Sequence, residues 1–147
     1  MSWKNLEDTV RNIASYIWDA PAISKTIDEV QIDCVVELRD DYLCLVEVSQ
    51  NNTLEKVRTD ISKLAALNFS LMGKGIYSEK YIVLSEKPTN SMRKLGNESK
   101  ITVLSVDEFE KKWFDYKKYI YLLFSFLKLC FLSFFLFFVH FIFRLYT

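Results

Sequence analysis

Apolar residues between Asn5 and Trp18 recur every three or four positions. Leu6, Val10, Ile13, Ala14 and Ile17 share one face, which predicts an amphipathic helix. Asp19-Ala20-Pro21 ends it, because proline disfavours helical geometry in the residue before it. The spacing then changes. Ala22 to Ile27 reads as a short strand, and Ile32 to Leu38 and Tyr42 to Ser49 are rich in Val, Leu, Ile and Cys, as strands are. Arg39-Asp40-Asp41 between them is expected to form a three-residue hairpin loop.

From Thr53 to Met72 the helical period returns, with Leu54, Val57, Ile61, Leu64, Ala65 and Leu71 as the expected buried stripe and Gly73 or Gly75 as the stop. Lys80 to Ser85 reads as a strand. A short helix from Pro88 to about Leu95 stops at Gly96, and Lys100 to Leu104 is a further strand. Ser105-Val106-Asp107-Glu108 has the form of a capping box opening a last helix, Asp107 to Lys117. The order αβββαβαβα predicts an α/β fold, a mixed sheet flanked by helices on both faces.

The last stretch has no polar period. Tyr119 to Phe143 carries 18 Ile, Leu, Phe and Val residues in 25 positions. As a helix it would extend about 37 Å, enough to cross a hydrocarbon core of roughly 30 Å. Lys128 opposes insertion by about 2.5–3.5 kcal/mol at the bilayer centre, less than the apolar residues return together. The expected division is therefore residues 1–117 as an α/β domain and 118–147 as a membrane-anchoring tail with one C-terminal transmembrane helix. Lys111, Lys112, Lys117 and Lys118 precede the segment and Arg144 alone follows, a bias that places the N-terminal domain in the cytoplasm. Two other readings of the tail stay open: a buried core helix, and a segment appended by frameshift or truncation, since nine Phe in the last 29 residues is foreign to the rest.

All 19 acidic residues lie before position 119, where 17 basic residues face them, a net of −2. A uniformly basic nucleic-acid coat is excluded, and any such contact must come from a local patch. Cys34, Cys44 and Cys130 are odd in number and lack CxxC spacing, which argues against a zinc site or a disulfide framework. The first residues contain no apolar run, so no signal peptide is expected. Gly73-Lys74-Gly75 lacks phosphate-loop spacing. His140, the sole histidine, lies in the tail, which excludes a histidine-assisted nucleophile.

One constellation carries chemistry. With a loop at 39–41, Asp33 pairs with Glu47 and both carboxylates point to one face. Directly opposed acids repel and need a shared proton or a cation, for which a hard divalent ion such as Mg²⁺ is the natural partner. Ser49 lies on the same face. The run IDCVVELRDDYLCLVEVS, Ile32 to Ser49, resembles in layout the PD-(D/E)xK, or restriction-endonuclease-like, nuclease superfamily. The resemblance covers about residues 5–105.

It implies Mg²⁺ (or Mn²⁺) held by Asp33 and Glu47, with Glu7 and the Val48 carbonyl as further metal ligands, and water activated to cut DNA. The family's lysine falls at Ser49. A serine cannot supply a cation, so Lys56 or Lys63 on the long helix is expected to replace it, Lys56 being nearer the helix start. Lys56, Asp60 and Lys63 also fit an ordinary solvated helix face. The expectation is thus a membrane-tethered, Mg²⁺-dependent DNA phosphodiesterase. The alternative is a catalytically inactive nuclease-like fold acting as a membrane-anchored module for a protein partner or nucleic acid. Oligomeric state is not legible in the sequence.

Overall fold

The computed structural model describes residues 3–111, together with Ser125 and Lys128, both helical and exposed. The chain divides into two units, Met1–Lys111 and Lys112–Thr147, and every element named here belongs to the first. Among the described residues no helix is long and apolar enough to cross a membrane. The expected tail, Tyr119 to Phe143, and most of the last expected helix lie outside them.

The elements run α1 (Trp3–Trp18), β1 (Ala22–Ile27), β2 (Val30–Arg39), β3 (Tyr42–Ser49), α2 (Leu54–Gly73), β4 (Tyr77–Leu84), α3 (Asn90–Glu98) and β5 (Thr102–Ser105). They form one five-stranded sheet in sequence order. The first two pairings are antiparallel and the last two parallel. This is the mixed sheet that the order of elements predicts.

The β1–β2 hairpin turns through Asp28 and Glu29, with φ of 49° and 66°. Two successive left-handed residues match the twist of the flanking strands, although neither is glycine or asparagine here. Asp28 is held in place by Ser70 of α2 and by Lys74, the residue that caps its end. The β2–β3 turn is tighter than expected. Arg39 pairs with Tyr42, not Leu38 with Tyr42, so the loop is Asp40-Asp41. A bulge between Glu37 and Arg39 absorbs the difference, and from Glu37–Leu43 to Cys34–Val46 the pairing follows the expected register.

A second irregularity sits in β2. Ile23 pairs with Val35 and Lys25 with Ile32, so Asp33 and Cys34 together face the single residue Ser24. Such a bulge bends a strand and re-aims a side chain. Val30 and Ile32 on one side of it, and Val35 on the other, all pack into the same core.

That core lies between the sheet and α2. Val35, Leu45, Ile82 and Leu84 meet Val57, Ile61, Leu64, Leu67 and Leu71, with Met92 of α3 and Ile101 closing one end. Leu67 replaces Leu54 and Ala65 of the expected stripe, both of which are exposed. The opposite face buries Leu6, Val10, Ala14 and Ile17 of α1, with Cys34, Val36, Cys44 and Val46 of the strands. Trp18, Tyr81 and Phe109 meet there ring to ring.

Helix ends follow local chemistry. The Thr53 hydroxyl accepts from the Lys56 N–H at the start of α2, and Gly75, at φ 77°, follows its end. Ser105 and Glu108 exchange both hydrogen bonds of a capping box, opening helical residues 106–111.

Candidate active site

The β2–β3 ladder ends at Cys34–Val46. One step beyond, in the same register, Asp33 lies opposite Glu47. The strands are no longer joined there by a backbone pair; instead the Val48 N–H donates to Asp33 Oδ2 at 2.9 Å. The bulge in β2 thus places Asp33 at the end of the β2–β3 pairing.

Glu47 has a side chain 3% exposed, on the sheet face that packs against α2. Lys63 of α2 donates to its Oε2 at 2.8 Å. Its other oxygen, Oε1, is buried without a hydrogen-bond partner. Burial, then the nearby Asp33 carboxylate, pushes Glu47 up to about 7, against the pull of Lys63.

Asp60, one turn before Lys63, is also buried, with its side chain 2% exposed. Lys56 pairs with its Oδ1, while its Oδ2 is buried and unpartnered. Burial raises its pKa, opposed by the Lys56 hydrogen bond. Asp33 and Asp60 both act electrostatically on each other or on Glu47, so the three acids share one neighbourhood.

The remaining sequence candidates fall around this centre in different ways. Ser49 is fully buried, but its hydroxyl donates to the Asn51 carbonyl and accepts the Asn51 N–H, closing the loop before α2. Lys63 touches Glu47, whereas Lys56, preferred for its place near the helix start, touches Asp60. Glu7 is engaged by Arg11 at 3.4 Å, and Arg11 donates in turn to the Asp33 carbonyl at 2.9 Å. Val48 contributes its N–H to Asp33. Cys34 and Cys44 are buried and free, as core thiols; burial raises Cys34 to about 12, which leaves it unreactive.

Arg11 carried no sequence signal of its own, since its contact with Asp33 joins residues 22 apart. Asp60 did carry one. Val57, Asp60, Leu64, Leu67 and Leu71 follow a strict three-four spacing, and all are buried. An acid inside such a stripe is exceptional unless it is paired.

The acids here offer hard oxygen donors, and two of their carboxylate oxygens are buried without partners. Each such atom carries the desolvation cost of an unmade bond. That donor chemistry fits a divalent cation such as Mg²⁺ or Mn²⁺. Among the described residues, however, no three acids are already gathered closely enough to hold a metal ion.

No family profile matches the chain, and no curated protein sequence matches it. One similar solved structure is the small subunit of the heterodimeric restriction endonuclease R.BspD6I, with a TM-score of 0.53 and 17% identity over 73% of this chain. The chain spans 65% of that subunit's length. At this identity the likeness speaks to architecture alone, and it agrees with the mixed sheet and its flanking helices: the chain has a restriction-endonuclease-like fold.

Proposed function

We propose that the N-terminal domain is a divalent-metal-dependent phosphodiesterase acting on DNA, tethered to a membrane by the segment from Tyr119 to Phe143 with the domain on the cytoplasmic side. The observation that carries the catalytic part is Glu47: buried beside Asp33 in a restriction-endonuclease-like sheet, with a lysine on one oxygen and nothing on the other.

Asp33 and Glu47 would hold Mg²⁺ or Mn²⁺, with the Val48 carbonyl and, less directly, Glu7 as further oxygen donors. The cation would supply Lewis-acid polarisation of the phosphate and a lowered pKa for the attacking water. The chain's own residues do the rest. Lys63 is the ammonium that contacts Glu47 and takes the role that the family pattern assigns to the position of Ser49, balancing charge that develops on the phosphate. Lys56, with its side chain 38% exposed at the start of α2, can meet a backbone phosphate from the solvent side. Arg11 fixes the Asp33 main chain and so the aim of its carboxylate.

Purified full-length protein in detergent micelles should nick supercoiled plasmid in Mg²⁺ and not in EDTA. Asp33→Ala and Glu47→Ala should abolish nicking, and Lys63→Met should slow it by about a hundredfold or more, the usual cost of losing one charge-stabilising donor. Full activity in both acid variants would remove the assignment.

The Lys63–Glu47 ion pair also favours a second reading, in which that pair neutralises the acid without metal and the fold serves as a binding module. The similar structure is one subunit of a heterodimer, so a protein partner belongs to either reading. Absence of both nicking and metal binding would select the module.

A further inference from the structure

We propose that Asp60 is a third acid of the cation site, joining Asp33 and Glu47 when Lys56 turns away from it. The inference rests on the cation reading above and deepens it.

Asp60 stands where the stripe of α2 calls for an apolar side chain. An ion pair with Lys56 one turn earlier does not explain that place, because such pairs form equally well on the exposed side of a helix. Burying the acid costs desolvation that a half-exposed ammonium returns only in part. The cost is visible in Oδ2, which lies buried with no partner. Glu47 Oε1 is in the same condition on the facing strand. Two unpartnered anionic oxygens on adjacent elements, both acting electrostatically with Asp33, are what a shared cation would satisfy.

Charge points the same way. Asp33, Glu47 and Asp60 face Lys56 and Lys63, which leaves one negative charge in a largely buried cluster. With Lys56 turned away and all three acids ionised, the cluster carries two negative charges, which a divalent ion would neutralise. Lys56 is the part able to move, since its side chain already reaches solvent. Its departure frees the second Asp60 oxygen, and the acids, not yet close enough to hold a metal, would close in on the ion as it binds.

Calorimetric titration of the full chain in detergent micelles with Mn²⁺ tests this directly. Wild type should bind; Asp60→Asn should bind at least tenfold more weakly; Lys56→Met should bind several times more tightly, because an ammonium no longer competes for Asp60. Tighter binding is a result that a purely structural ion pair would not give, and Lys56→Met decides the matter should Asp60→Asn fail to fold. Wild-type affinity in Asp60→Asn, weaker or unchanged binding in Lys56→Met, or no binding by wild type would each overturn the inference. Plasmid nicking separates it from the parent reading. Nicking with Asp60-independent Mn²⁺ binding leaves the phosphodiesterase standing without its third acid. Asp60-dependent Mn²⁺ binding with intact plasmid keeps the third acid and removes the phosphodiesterase.

Discussion

Glu47 couples the site to stability through its proton. Its side chain is almost wholly buried, and burial together with Asp33 raises it from 4.5 to about 7. Between those values the folded chain holds a proton that the unfolded chain has released. Stability therefore falls as pH rises through this window, the reverse of a salt-bridged acid with a depressed pKa. The loss attributable to Glu47 is about 3 kcal/mol across the window. Urea denaturation in EDTA should show lower stability at pH 7.5 than at pH 5, and Glu47→Gln should flatten that dependence. Asp60, raised in the same direction, should leave a smaller residual slope. A variant slope equal to that of wild type would show that Glu47 titrates normally. At this scale the sequence was partly legible. Asp33 and Glu47 could be named because strand alternation is a local rule and the bulge before Arg39 offsets the shorter turn. Arg11 could not, because only the packing of α1 against the sheet brings it to Asp33.

The elements show where local rules suffice and where pairing overrides them. The bounds of β1 and β3 match those expected from the apolar runs alone. β4 begins at Tyr77, three residues before the expected Lys80, because its parallel pairing with β3 starts at Tyr42–Tyr77 and draws in the polar residues Ser78 and Glu79. No property of those residues announces a strand; the neighbour imposes it. In the same way, α3 extends to Glu98, beyond its expected stop at Gly96. Gly96 serves close approach instead. A Cβ there would stand 2.6 Å from the Ile101 carbonyl oxygen and from Val103 Cγ2. The backbone oxygen cannot yield as a side chain can. Gly96→Ala should therefore destabilise the domain by about 1–3 kcal/mol, the common cost of overpacking, despite alanine's better helix propensity. Chemical denaturation measures this, and a stabilised variant would mean that α3 can shift off β5.

For the whole molecule, the sequence conveyed the mixed sheet with helices on both faces because each connection restricts the next. A tight hairpin forces antiparallel neighbours, and an intervening helix permits parallel ones. The proposed tether belongs to this scale too. Full-length protein expressed in cells should remain in the membrane pellet after alkaline carbonate washing, and a chain ending before Tyr119 should not. Release of the full chain into the wash would remove the membrane proposal and leave the site arguments untouched.

The irregularity in β2 bears on how the acid came to be carried at all. Asp33 and Cys34 share one opposing residue, while Ile32 and Val35, on either side, pack inward together. Take away one of the two and what is left alternates like any ordinary strand, with Ile32 and Val35 two places apart and their packing preserved. In the pairing with β1, Asp33 is thus the extra residue, held by the Val48 N–H and by Arg11. Deleting Asp33 should cost far less thermal stability than deleting Val36, which sits in unbroken pairing with both neighbours. A small loss on deletion would mean that the bulge aims a carboxylate more than it holds the sheet together.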